Sequence, residues 1–433
     1  MMRSMFSGVS GLRNHQTRMD VIGNNIANVN TVGYKRSKVI FQDMLSQNIR
    51  GASSPQGGRG GTNPQQVGLG VTVGSIDIVH TQGSSESTGK TTDMMIDGDG
   101  LFVVADGSTK QYTRAGNFDF DSSGSLINSN GLQVQGWNAN ATTGAIDTTQ
   151  PASAIAITKG VALSQPTSEV QFSGNLDANT AAYAAGPPTV GEVTLAANMY
   201  DSLGNSHTVY LYLQNNGDNT WTVSDTSGNA ANPANPAWLT VNVTQDIEFN
   251  PDGTFATDPQ VTITGQPTNP TAKNFSGVTP VPAGELPAIA IDFANMTQLV
   301  GTTDVQMSYQ DGAEAGVLTG FAVDKSGVIT GQFSNGLSKQ LAQVAVANFS
   351  NPGGLSKVGG NVYSETNNSG AAQIGTASSG GRGEITPGSL EMSNVDLSQE
   401  FTDMIITQRG FQANSRIITT SDEMLQELVN LKR

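Results

Sequence analysis

Apolar residues recur at helical spacing only near the two ends of the chain. From Leu390, steps of seven reach Leu397, Met404, Phe411, Ile418 and Leu425, and the interleaved positions add Phe401 and Val429. Such a run predicts a coiled-coil-like helix. Asn394, Gln408, Ser415 and Asp422 make the seam wetter than that of a free-standing dimeric coil, while Ile405, Ile406, Ile417, Met424, Leu428 and Leu431 widen the apolar face. A helix with so broad a face is expected to touch several neighbours. Val395 to Lys432 holds no Pro and a single Gly410, which allows a rod of roughly 57 Å at about 1.5 Å per residue. At the other end Met5, Val9, Leu12, Met19, Ile22, Ile26 and Val29 recur at helical steps and predict a second amphipathic helix.

Between the ends the pattern changes to short alternating runs broken by turn residues. Asp97-Gly98-Asp99-Gly100, Asp121-Ser122-Ser123-Gly124, Asn128-Ser129-Asn130-Gly131 and Asp324-Lys325-Ser326-Gly327 each sit beside strand-like segments, the spacing of hairpins. Segments 149–190 and 226–285 are rich in Ala, Thr, Pro, Gly and Asn. The expected fold class is therefore mostly β with α-helical termini, the paired N- and C-terminal helices forming a coiled-coil-like inner domain around nested β domains. The boundaries read as 1–30 and 388–433 for the helical domain, 31–70 for a linker, 71–148 and 299–387 for a first β domain, and 149–298 for an inserted outer β domain. Gly51 to Gln66 lacks any large apolar residue and is expected to be mobile, because it has too little surface to bury against its chain entropy.

Charge supports the pairing of the ends. Residues 1–50 carry seven basic and two acidic residues, residues 388–433 four basic and seven acidic. The whole chain of 433 residues has a net charge of −15, most of it in the middle, which argues against a nucleic-acid partner. There is no Cys, so disulfides, thiolate nucleophiles and Cys-ligated metals are excluded. No apolar run approaches 18 residues, so no membrane span is expected, and the early residues lack the apolar core of a cleavable signal. Asp119, Asp121 and Gly124 share the spacing of a calcium loop, but the twelfth position is Asn130 rather than a bidentate Glu. Local turn bonding accounts for these residues more simply. His15, His80 and His207 lie in unrelated segments with no zinc spacing. Neither metal nor cofactor is expected, and nothing in the sequence selects a catalytic group.

Leu12 to Lys35, with Asn24-Asn25-Ile26-Ala27-Asn28 and Thr31-Val32-Gly33-Tyr34-Lys35, resembles the N-terminal signature of the bacterial flagellar rod and hook proteins. Gly388 to Arg433, with Leu390-Glu391-Met392-Ser393-Asn394-Val395-Asp396-Leu397 and Gln408-Arg409-Gly410-Phe411-Gln412-Ala413-Asn414, is similar to the C-terminal signature of the same family. Asp93 to Trp137, including Thr113-Arg114-Ala115-Gly116-Asn117-Phe118, looks like its first β segment. Tyr200 to His207, Trp221, Ile247 to Gly253 and Asp292 to Leu299 resemble the longer, hook-forming members. The resemblance implies a structural subunit of a flexible tube, the universal joint that passes motor torque to the filament. It implies a homo-polymer, contacts with hook cap, distal rod and hook–filament junction proteins, and passage through the flagellar export machinery to the cell exterior without a cleaved signal. Some members of the family cross-link through a Cys, which this chain lacks.

Stripes and signatures together nominate an assembly interface of Leu12, Met19, Ile22, Asn24, Asn25, Ile26, Asn28, Gly33, Tyr34, Leu397, Phe401, Met404, Phe411, Ile418, Leu425 and Val429. The competing readings are a distal-rod or other axial subunit and, in different classes, a secreted β-rich adhesin or a glycan-active enzyme.

Overall fold

The N-terminal stripe becomes helix α1 (Met2–Ala27) and the C-terminal stripe becomes α2 (Leu397–Asn430). Asp396 starts α2 by accepting the backbone N–H groups of Ser398 at 2.8 Å and Gln399 at 3.2 Å, the N-cap arrangement that satisfies otherwise unpaired donors. At the far end of α1, the Asn28 side chain donates to the carbonyl of Asn24 at 2.8 Å. The structure, a computed structural model, describes residues 2–430 apart from 56, 57, 59, 141–143, 159, 161, 187–189, 202, 228–234, 236–238, 244, 245, 258–260 and 266–288. Leu431, Ser202 and the 266–285 stretch thus lie outside the described residues.

Among the described residues, everything else with regular structure is strand, apart from one turn of 3-10 helix at Pro352–Gly354. The turn sequences do what their chemistry dictates. Asp121 Oδ1 accepts the N–H groups of Ser123 and Ser125, Asn128 Oδ1 those of Asn130 and Leu132, and Asp324 Oδ1 those of Ser326 and Val328. Each turn ends on a glycine with φ between 79° and 85°, a conformation that other residues adopt only with strain. The Asp121 carboxylate also accepts the Ser123 hydroxyl, and that bond, with the Ser125 and Ser123 N–H groups, holds its pKa below the ordinary carboxylate value.

Residues 31–70, read above as a linker, contain paired strands. β1 (Ser37–Asp43), β2 (Ser46–Arg50), β3 (Gln65–Gly68) and β4 (Val71–Ile78) form two short antiparallel ribbons, β1 with β4 and β2 with β3. The pairing continues into the Gly- and Pro-rich segment through a bridge between Ser53 and Thr62, whose hydroxyls lie 2.8 Å apart. Composition gave no hint of it because a two-stranded ribbon is held by backbone bonds and needs few apolar side chains.

The chain divides into two units, residues 1–158, 321–330 and 340–433, and residues 159–320 and 331–339. In the first unit, Leu101–Asp106 pairs with Thr109–Thr113 and Gln133–Asn138, over a core containing Val103, Tyr112, Trp137 and Tyr363. Its last strands return to early ones, Glu384–Pro387 to Met94–Asp97 and Ser389–Glu391 to Ser85–Ser87. The second unit holds two five-stranded sheets. Its core includes Trp221, Leu211, Met199 and the stacked pair Phe172 and Phe293, with ring centroids 5.6 Å apart. This unit extends beyond residue 298 because Gln306–Gln310 pairs with Glu169–Asp177.

Candidate assembly interface and the joint that carries it

α1 and α2 run antiparallel, and the residues between them are small or polar. Ser4 lies against Ser421, Gly8 against Ile418 and the Asn414 backbone, Gly11 against the Asn414 side chain, His15 against Gly410, Arg18 against Asp403, and Asn25 against Glu400. On α1 these positions, with Ile22, alternate in steps of four and three, a heptad seam in which only Ile22 is a large aliphatic residue. A Cβ at Gly11 would stand 2.8 Å from the Asn414 side chain, and one at Gly410 2.7 Å from the His15 ring, so glycine sets how closely the helices approach. The Arg18–Asp403 pair, 2.9 Å apart, is partly exposed and contributes at most about 1 kcal/mol.

Apart from Ile418, which packs on Gly8, the apolar stripe that announced α2 lies off this seam. Phe401 is 51% exposed, Phe411 37%, Leu397 39% and Val429 67%, while the buried residues of α2 are Glu400, Thr407 and Ser421. Met404, Ile418 and Leu425 are half-buried, as are Leu12, Met19, Ile26 and Asn28. The flanking Ile405, Ile406, Ile417, Met424 and Leu428 are also exposed. Ile22, Asn25, Gly33 and Tyr34 are buried within the subunit, and Asn24 is exposed. The nominated residues thus fall into two sets, an outward apolar face and a group that builds the base of the helix pair.

That base is a joint between α1, α2 and the neighbouring strands. Asn25 donates to the carbonyl of Ser37 at 2.8 Å and to Glu400 at 3.2 Å, and its oxygen accepts from the Tyr34 hydroxyl at 3.2 Å and the Ser37 N–H at 3.0 Å. Asn394 accepts the Arg36 N–H at 2.8 Å and donates to the carbonyl of Val79 at 2.8 Å. Gly33 turns the chain at φ 67°, where a Cβ would sit 2.6 Å from the Ala115 nitrogen, and its N–H donates to the Glu391 carbonyl at 2.7 Å. The Lys357 ammonium stands over the Tyr34 ring, 4.7 Å from its centroid.

Beneath it lies a buried charge cluster. Glu391 is fully enclosed; one carboxylate oxygen accepts the Lys35 ammonium at 2.6 Å and the Gly83 N–H at 2.8 Å, the other the Arg114 Nε. Arg114 donates further to the carbonyls of Ile96 and Gly98, both at 2.7 Å, and of Gly100. Burial works against ionisation of Glu391, but Arg114, the Gly83 N–H and Lys35 hold its carboxyl below the ordinary value. Burial lowers the pKa of Lys35 against the pull of Glu391, and His80, buried near Lys35 and Lys357, is pushed down to about 4. Lys35, Arg114 and Glu391 were not nominated above. Their signal was a charged residue set among turn and apolar residues, as in Thr113-Arg114-Ala115-Gly116 and Leu390-Glu391-Met392.

Comparison with known proteins gives this arrangement its class. Four family models match in chain order: Flagella basal body rod protein over residues 5–35, Flagellar hook protein FlgE/F/G D1 domain over 95–166, Flagellar basal body protein FlaE D2 domain over 175–313, and Flagellar basal body rod FlgEFG protein C-terminal over 386–431. They describe an axial component of the bacterial flagellum, with helical ends and β domains between. The flagellar hook protein FlgE of Borreliella burgdorferi is 42% identical over 456 residues, and that of Treponema pallidum 42% over 464, each aligned over 100% of both chains. The hook protein of Salmonella typhimurium is 33% identical over 437 residues, covering 99% of this chain and 100% of its own. The chain belongs to the flagellar hook protein family, as a structural subunit of the hook.

Proposed function

We propose that this subunit polymerises into a flexible tube through the outward apolar face of its helix pair, and that the tube acts as a joint transmitting torque. The observation that carries the reading is the segregation on α2: Glu400, Thr407 and Ser421 are turned toward α1, while Phe401, Ile405, Ile406, Phe411 and Ile417 are left exposed. Burying a large apolar side chain contributes about 1.5–3 kcal/mol, so a row of them supplies more to contacts between subunits than the polar seam supplies within one. The assembly interface is then Leu12, Met19 and Ile26 on α1 with Leu397, Phe401, Met404, Phe411, Leu425 and Val429 on α2, while Ile418 packs on Gly8 within the subunit. Asn24, Asn25, Asn28, Ile22, Gly33 and Tyr34 position these helices rather than meet a neighbour.

The partners are further copies of the chain along the tube and, at its ends, distal rod, hook cap and hook–filament junction proteins. Export through the flagellar machinery to the cell exterior suits a chain with no disulfide to undo. Removal of its first helix by a signal peptidase would cost the seam with α2, so the segment is retained. No catalytic role is assigned. Among the described residues no helix is long and apolar enough to cross a membrane. Electron microscopy of the purified protein in precipitating salt tests the reading: tubes are expected, and persistent monomers or amorphous aggregate would count against it.

A further inference from the structure

A cleft of about 360 Å³ opens between α1, β1 and α2. Its apolar walls include Ile22, Val39 and Phe41, and Arg18, Arg36 and Lys38 bring positive charge to it. Two carboxylates also line it, paired with the same arginines, Asp403 with Arg18 at 2.9 Å and Glu400 with Arg36 at 3.6 Å and Asn25 at 3.2 Å, so the excess positive charge is that of Lys38. Lys38 is exposed, with Asp77 opposite it on β4, and makes no ion pair within 4 Å among the described residues. The cleft therefore suits an aliphatic group accompanied by negative charge.

The opposite end of the same rod carries that chemistry. The last described turns of α2 expose Met424 and Leu428, each 53% exposed, and Val429 at 67%. Asp422, Glu423 and Glu427 are exposed alongside them. The basic Lys432 and Arg433 follow in the sequence, so the acidic patch is local to these turns. α2 has 34 residues and spans about 51 Å, which keeps its tip from folding back into the cleft at its own base. A second copy has no such constraint.

We propose that the C-terminal turns of α2 dock into the cleft at the base of a second copy's helix pair, Met424 and Leu428 against Ile40 and Phe41, with Glu423 and Glu427 facing Lys38. Tip to base is a heterologous contact, using two different patches of the same chain. Repeated, such a contact generates an open helical polymer unless its rotation closes a ring. The inference rests on the polymer reading above and names one of the contacts that build it.

Because the chain has no Cys, an introduced pair reports directly. Tubes assembled from a Lys38→Cys, Leu428→Cys variant should give a ladder of covalent multimers under mild oxidant on a denaturing gel. A Lys110→Cys, Leu428→Cys control, with its first site at an exposed residue, should remain monomeric. Lys38→Glu should raise the protein concentration needed for tubes, and adding Glu423→Lys and Glu427→Lys should restore it. Both ends are exposed, so these changes spare the fold. Tubes in which the K38C/L428C pair stays as monomeric as the control would overturn the docking while leaving the polymer reading intact. Failure of the parent chain to form tubes would remove that reading and the docking together.

Discussion

Replacing Glu391 by Gln tests whether the buried cluster is what holds the terminal helices to their β domain. The change keeps the shape and removes one negative charge from a site where Lys35 and Arg114 have side-chain exposures of 3% and 5%. One oxygen of Gln can still accept, but its amide nitrogen must face either Arg114 Nε or the Lys35 and Gly83 donors, placing donor against donor. Breaking one partner of a buried pair in this way costs about 3–5 kcal/mol. With a urea dependence of about 2 kcal/mol per molar, the midpoint for the first unit should fall by about 2 M. Urea titration of the full chain, followed by circular dichroism and tryptophan fluorescence, reads this out. The second unit's transition should stay in place as an internal control. The sign with pH is also fixed. Glu391 has a folded pKa below its unfolded value, so its contribution is present above the ordinary carboxylate range and is lost as pH falls through the depressed value. The E391Q variant should therefore differ most from the parent at neutral pH and approach it in acid. A midpoint at pH 7 within error of the parent's would show that water already screens the cluster, and would refute the argument.

Glu400 should behave in the opposite sense: burial raises its pKa, so its contribution is present below the ordinary carboxylate value and lost as pH rises through the raised one, and Glu400→Gln should raise the urea midpoint at pH 7. Phe411→Asp, at a side chain 37% exposed in the subunit, should leave the unfolding curve of the soluble chain within about 0.5 kcal/mol and abolish tubes in electron micrographs. Gly410→Val puts a branched side chain where a Cβ already stands 2.7 Å from His15; loss of helical circular dichroism with strand signal retained is the expected result. Removing residues 394–433 should leave a cooperatively unfolding β protein that does not polymerise, whereas removing 388–433 takes Glu391 as well and should abolish the first unit's transition.

What could be read in the sequence followed from periodicity and turn chemistry, which act locally. The stripe through Leu397, Met404, Phe411 and Ile418 announced α2, and Asp121, Asn128 and Asp324 announced their turns through the backbone groups two and four residues on. What could not be read depended on which face meets which partner. The seam of Gly8, Gly11, His15, Gly410 and Asn414 leaves no hydrophobic signal, because small residues act by being absent from the gap. Lys35, Arg114 and Glu391 come from three distant segments, and only the fold shows that their charges share one enclosure. The ribbon of β2 and β3 was hidden for a related reason: its pairing is backbone to backbone, and the side chains around Ser53 and Thr62 look like those of a loop.

The placement of polar and apolar residues also bears on how the helix pair can be weakly closed and its root rigid. In the seam, Ser4 and Ser421 lose little when separated, since water replaces the broken bond at a net cost of about 0.5–1.5 kcal/mol, and Gly11 meets Asn414 by close packing alone. The base is different in kind. Separating Lys35 or Arg114 from Glu391 without solvating both would leave a buried charge uncompensated, so this part favours being wholly formed or wholly open. A chain built this way can have helices that close weakly along their length and a root that closes cooperatively. Contacts with neighbours, through Phe401, Ile405 and Phe411, would then supply the apolar burial that the seam lacks. On that argument, tube formation stabilises the helix pair more than the pair stabilises itself. Amide hydrogen exchange should show it: protection along Phe401 to Ile418 should rise strongly between soluble subunit and tube, while protection around Ile96 and Glu391 should already be high in the subunit. Equal protection of the helix in both states would mean that the small-residue seam is sufficient alone and that the outward apolar face has another purpose.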